Sequence, residues 1–185
     1  MQYRYTEKEL DDLFDSIVLL VDSREQKNSH ILNWMNEYKR GDGTIGIQHR
    51  RKKLESGDYS FFLPASREHA VLKDVYFDNL LVIERKQDLD ELSGNLTVYR
   101  DRFNNEFSRS TARKFHLVIE GGSYRDICEH RYISAMTPKS YLASLLAFQE
   151  KYDIHIHFIN NRHSGEFIHS LMRQFFMFYM TTEGR

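Results

Sequence analysis

Cysteine is nearly absent from these 185 residues, and with Cys128 alone no intramolecular disulfide framework can form, which suits a reducing interior. Cys128 reads as a packed thiol rather than a nucleophile. Proline occurs twice and serves as punctuation: Pro64 closes an apolar run and Pro138 opens a helical one. No apolar stretch approaches the roughly 20 residues that span a bilayer, and Met1-Gln2-Tyr3-Arg4-Tyr5 lacks the apolar core of a signal peptide. The expectation is a soluble intracellular protein with no membrane partner. Charge of one sign is missing too: 26 Lys and Arg stand against 27 Asp and Glu, a formal net charge of -1 that does not by itself announce a nucleic-acid binder. Internal repeats and low-complexity segments are absent. A 41% hydrophobic content over this length supports one buried core, so a single domain over 1–185 is expected.

What is present concentrates in Ile83-Glu84-Arg85-Lys86-Gln87-Asp88-Leu89-Asp90. If Leu80–Lys86 is a strand, Glu84 and Lys86 share a face and Arg85 points the other way. A carboxylate beside an ammonium can hold a hard divalent cation while the ammonium orients water or offsets charge on a phosphate. Alone, Glu-x-Lys also describes the solvent face of many strands. Two upstream segments add weight. Ile17–Val21 reads as a buried strand that ends in Asp22-Ser23-Arg24-Glu25, and Gly57-Asp58-Tyr59 opens a strand over Ser60–Leu63. Three successive strands thus deliver Asp22, Asp58 and Glu84, and three convergent carboxylates with one lysine suffice for Mg²⁺ or Mn²⁺.

The order Val21-Asp22-Ser23-Arg24-Glu25, Gly57-Asp58-Tyr59, Glu84-Arg85-Lys86-x-x-x-Asp90 resembles the nuclease domain of XPF-type structure-specific endonucleases, within the PD-(D/E)XK superfamily. The likeness runs from about Ile17 to Glu120, with Phe115–Glu120 similar to the strand after the catalytic helix. It implies an α/β, restriction-endonuclease-like fold, a central mixed sheet flanked by helices. It also implies a metal-dependent DNA endonuclease acting on branched, flapped or otherwise structured DNA, with settings in DNA repair or recombination. By resemblance Asp22, Asp58 and Glu84 are metal ligands, Lys86 is the catalytic lysine, and Arg85 and Asp90 complete the catalytic signature. Arg24 and Glu25 are candidate outer-shell groups. For Arg85, an ion pair with Asp90 or another carboxylate and a direct phosphate contact both stand open. Two departures matter. No helix-hairpin-helix pair is seen in the last third, which weakens the inferred preference for branched DNA and favours a bacterial or phage, hence cytoplasmic, setting. The family's Gly-Arg-Leu/Phe segment with a nearby Gln is matched here by Arg102-Phe103, with Glu106 where an amide is expected.

Candidate DNA contacts are the run Arg50-Arg51-Lys52-Lys53, Arg100 and Arg102 after the signature, and Lys139 and Ser140 at a helix start capped by Thr137. A solvated hairpin edge for the first run, and simple capping for the last pair, are the plainer readings. Helices are expected over Thr6–Phe14, Ser29–Tyr38 with Trp34 in the core, from a capping box at Asp88 and Glu91 toward Arg109, and over Pro138–Lys151. Ile154–Phe158 alternates as a strand with His155 and His157 on one face, read as a polar outer face. In Phe167–Met180, Leu171, Phe175, Phe178 and Tyr179 form one apolar set and Met172, Phe176 and Met180 a second. The second set is expected to pair two copies, or this chain with another subunit. The competing function is a catalytically silent DNA-binding or interaction subunit that keeps the nuclease fold.

Overall fold

The computed structural model describes residues 5–182, so most of the Met1–Tyr5 segment lies outside the described residues. The chain divides into two compact units. One comprises residues through Lys53, Tyr59–Asp78 and the chain from Gly165; the other comprises Leu54–Asp58 and Asn79–Ser164.

In the first unit, α1 (Glu7–Asp15) starts at a complete capping box, Thr6 accepting from Glu9 N–H while the Glu9 carboxylate accepts from Thr6 N–H at 2.7 Å. β1 (Val18–Asp22) is wholly buried, as its unbroken apolar run requires. After α2 (Ser29–Glu37) comes β2 (Gln48–Lys52), which pairs parallel to β1. The basic run is therefore an edge strand of this unit rather than a hairpin, held by main-chain bonds that its charged side chains do not advertise. β3 (Tyr59–Leu63) lies antiparallel to β1 and pairs with the short β4 (Val75–Tyr76). Aromatic rings fill the core: Phe61 stacks on Phe77 at 4.5 Å, and Phe176 of α7 (Ser164–Thr182) approaches Phe14 at 5.6 Å.

Three expectations need correction in this unit. Trp34 is half-buried, packed beside Tyr38 and His169, not in the core. On α7 the buried stripe is Ile168, Met172 and Phe176, all fully buried, so two of the three residues expected at an interface are core, while Met180 is half-buried. Phe178, from the other set, is 59% exposed. Burial follows the i, i+4 spacing of 168, 172 and 176, a face that composition alone did not separate from its neighbour.

The second unit is built on three parallel strands: β5 (Leu81–Lys86), β6 (Lys114–Ile119) and β7 (Ile154–Phe158). α3 (Leu89–Leu96), α4 (Arg100–Arg109) and α6 (Pro138–Tyr152) supply Leu92, Phe103 and Phe148 to a core shared with Val82, Leu117 and Ile119. At roughly 1.5–3 kcal/mol for each fully buried large apolar side chain, this layer supplies most of the unit's cohesion. The helix expected to run from Asp88 to Arg109 is broken at Thr97-Val98-Tyr99, where Thr97 leaves helical geometry at φ -120°, ψ -90°. α5 (Tyr124–Cys128) was not foreseen, and Cys128 at its end is exposed rather than packed. The histidine strand also differs from expectation. His116 of β6 stacks on His155 at 4.7 Å and its Nδ1 lies 2.9 Å from His157 Nε2, so the histidines form a half-buried ladder instead of a polar outer face.

Candidate active site

Strand alternation decides which groups meet at the end of β5. Glu84 and Lys86 project to one face, and Lys86 Nζ sits 2.5 Å from Glu84 Oε1 and 5.1 Å from the centre of the Phe103 ring. Arg85 projects to the opposite face. There its guanidinium donates to Glu120 at 2.8 Å, and Glu120 also accepts from the Ser164 hydroxyl. Arg85 and Glu120 are both at least 95% buried, so an ion pair with a carboxylate, one of the two readings left open, is what the fold builds. The partner is Glu120 and not Asp90. Asp90 Oδ1 instead accepts two backbone N–H bonds, from Ile133 and Ser134 at 2.8 Å each, pinning that loop to the first turn of α3.

Asp58 reaches the same strand from the Gly57-Asp58 turn. Its N–H donates to Ile83 O at 2.9 Å and its Oδ2 accepts from Arg85 N–H at 2.8 Å, so both ends of the residue are tied to β5. Glycine is obligatory before it. Gly57 has φ +69°, and a Cβ there would stand 2.2 Å from Val82 Cγ1 and 3.1 Å from Ile83 O.

Two further carboxylates complete this cluster. Glu91 lies 3.9 Å from Lys86 Nζ and accepts from Gln87 N–H, one residue ahead of the position a standard capping box would use. Glu106, on α4, accepts from Gly57 N–H at 3.3 Å. From the sequence Glu91 was read only as part of a cap, and Glu106 only as the group standing where the family's amide is expected. The available signal was spacing: Glu106 lies three residues after Phe103, which places it on the α4 face that meets Lys86.

The electrostatics follow from burial. Glu84 is raised from an ordinary 4.5 to about 7, chiefly by desolvation, with Glu106 and Glu91 adding to the rise and Lys86 opposing it. Burial draws the Lys86 ammonium down, but the Glu84 charge and hydrogen bond outweigh it and hold the lysine above its usual range. Glu84 Oε2 is buried and makes no hydrogen bond. Among the described residues no three His, Cys, Asp or Glu side chains gather into a metal cage. A buried carboxylate oxygen without a donor, beside further carboxylates, still fits a hard cation that completes its shell with water and substrate oxygens.

The other expected residues sit elsewhere. Asp22, Arg24 and Glu25 belong to the first unit, where both carboxylate oxygens of the buried Asp22 are held by the Arg24 guanidinium at 2.7 and 3.0 Å. Arg50 lies over Phe62, Arg51 donates to Glu25 O, and Lys52 pairs with Asp78 at 2.6 Å; Lys53 is exposed. Arg100 covers Phe148, and Arg102 is exposed. At the start of α6, Ser140 N–H already donates to Thr137 at 3.3 Å, with Lys139 and Ser140 both exposed.

Residues 21–171 match the ERCC4 domain family. The fold is shared with two solved structures, XPF from Aeropyrum pernix (20% identity) and XPF from Aeropyrum pernix in complex with DNA (21% identity), at a TM-score of 0.56 in each case. Each likeness covers 85% of this chain and 64% of the other chain. No curated protein matches. With its mixed α/β architecture and the Glu84-Arg85-Lys86 strand within the matched residues, the chain belongs to the ERCC4 domain family and has the fold of an XPF-type nuclease domain.

Proposed function

We propose that this chain is a divalent-metal-dependent DNA endonuclease that hydrolyses phosphodiester bonds at structured DNA. The observation that carries the reading is Glu84: a buried carboxylate kept beside Lys86 with one oxygen, Oε2, left without any donor. A silent, purely structural domain gains nothing from that arrangement, because burying charge costs free energy that apolar packing would avoid.

In this reading Glu84 and Asp58 hold the cation, Mg²⁺ or Mn²⁺. When bound, the cation supplies Lewis-acid polarisation of the phosphate and lowers the pKa of an attacking water. Lys86 keeps its proton, and its ammonium, fixed between Glu84 and the Phe103 ring, donates to the phosphoryl oxygen or to the incoming water. Arg85, neutralised by Glu120, sets the orientation of β5 rather than touching phosphate. Arg50, Arg51, Lys53, Arg100, Arg102, Lys139 and Ser140 are proposed backbone contacts, a reading supported by the fold shared with XPF from Aeropyrum pernix in complex with DNA. Pairing through α7 would rest on one exposed ring, Phe178, and carries no step of the reaction.

A nicking assay on forked, flapped, gapped and plain duplex DNA, with Mg²⁺, Mn²⁺ or chelator, tests the proposal. Metal-dependent nicks that favour a junction are expected. A pure, folded protein that binds DNA but cuts none of the substrates under either metal would leave the silent-subunit reading instead.

A further inference from the structure

Three carboxylates of the second unit, Glu84, Asp58 and Glu91, act on the Lys86 ammonium, and a fourth, Glu106, acts on Glu84. Glu84 and Glu91 face the Lys86 ammonium at 2.5 and 3.9 Å, and Asp58 accepts a main-chain N–H from β5. Glu106 differs. Its one hydrogen bond is a neutral contact with Gly57 N–H at 3.3 Å, and among the described residues no cation pairs with it.

Holding the Gly57 N–H does not require a charge. The carbonyl oxygen of a glutamine accepts the same bond, so the turn alone would be served as well by an amide. A carboxylate in that place adds repulsion toward Glu84, a group already strained by burial, and the repulsion is relieved only when positive charge enters. An independent feature points to where that charge goes: Glu84 Oε2, on a side chain 5% exposed, has no donor.

We propose that Glu106 is a positioning residue of the cation site, fixing the Gly57-Asp58 turn through its carboxylate and contributing the negative charge that sets the site's affinity for a divalent metal. The assignment rests on the metal-dependent reading above and adds a residue to it. Glu106 acts through the turn and through the shell of the ion, since among the described residues no three-carboxylate cage is formed around a single point. Outer groups of this kind typically change metal affinity by about 10- to 100-fold when removed.

The test separates charge from structure. Wild type, Glu106→Gln, Glu106→Ala and Glu84→Gln are each titrated with Mn²⁺ by calorimetry, and their melting temperatures are measured with chelator and with Mn²⁺. Glu106→Gln keeps an acceptor for Gly57, so without metal it should melt at or above the wild-type temperature while binding Mn²⁺ about tenfold more weakly. Glu106→Ala should show the same affinity loss and also melt lower without metal. If Glu106→Gln binds Mn²⁺ as tightly as wild type while Glu84→Gln does not bind, the assignment of Glu106 fails and the metal site stands. If wild type itself binds no Mn²⁺, the metal-dependent reading fails and takes Glu106 with it.

Discussion

Glu84 and Lys86 are poised so that each makes the other tolerable in a place where neither charge would survive alone. Replacing Lys86 with Met keeps a stem of similar volume on Phe103 but leaves Glu84 buried without its counter-charge. Cleavage should be lost. Stability should become pH-dependent in a definite direction. A carboxylate whose folded pKa is raised from 4.5 to about 7 contributes no penalty below 4.5, and stability is lost as pH rises through the folded value. Removing Lys86 raises that value further, so the melting-temperature deficit of Lys86→Met relative to wild type should be small at pH 5 and larger at pH 8. A deficit independent of pH would mean that Lys86 acts through packing rather than charge. The pairing of Glu84 with Lys86, and the turning away of Arg85, were legible in the sequence because strand alternation fixes which neighbours share a face. The identity of Arg85's partner was not. Glu120 becomes its neighbour only through the parallel register of β5 on β6, a tertiary fact that local spacing does not encode.

Elements were most legible where an apolar period or a cap stood out, as with α1 behind Thr6, α6 behind Thr137-Pro138, and the buried β1, β3, β5 and β6. β2 was not, because an edge strand keeps charged side chains and owes its existence to main-chain bonds with β1. The break between α3 and α4 was missed although Gly94 and Asn95 stand just before it, and the Gly94 carbonyl accepts from Thr97 and Tyr99 N–H where the helix ends. β7 was found, but its histidines were misassigned to solvent because His116 arrives from a strand far away in sequence. That ladder carries an acid response. Desolvation, with the charges of His155, His157 and Lys114, lowers His116 from 6.5 to about 3 and burial lowers His157 as well. Groups depressed in the folded state stabilise it above their unfolded pKa, and that contribution is lost as pH falls from about 6.5 toward 3. His116→Leu should therefore lose less melting temperature than wild type between pH 7 and pH 4. An identical loss in both proteins would place the acid-sensitive groups elsewhere; buried His169, lowered to about 4, is the next to test.

At the level of the whole chain, a net charge of -1 conceals a division of labour: acidic groups collect around Lys86 while cations line β2 and α4. Anything that binds a nucleic-acid backbone through those cations must release counterions, so affinity should fall with salt by about 0.9 in log-log slope for each phosphate contact on duplex DNA. The structure refines which residues of the basic run are available. Lys52 is paired with Asp78 and lies over Tyr76, whereas Arg50, Arg51 and Lys53 are exposed. Changing Arg50, Arg51 and Lys53 together to Gln should weaken binding equally for all sequences and lower the slope by up to about 2.7, three contacts at 0.9 each. Adding Lys52→Gln should change the slope little further and instead lower the melting temperature by releasing Asp78. Fluorescence anisotropy at several salt concentrations, in chelator so that no cutting intervenes, measures both slopes. An unchanged slope in the triple variant would assign β2 to solvent and move the DNA path to Arg100, Arg102 and the start of α6.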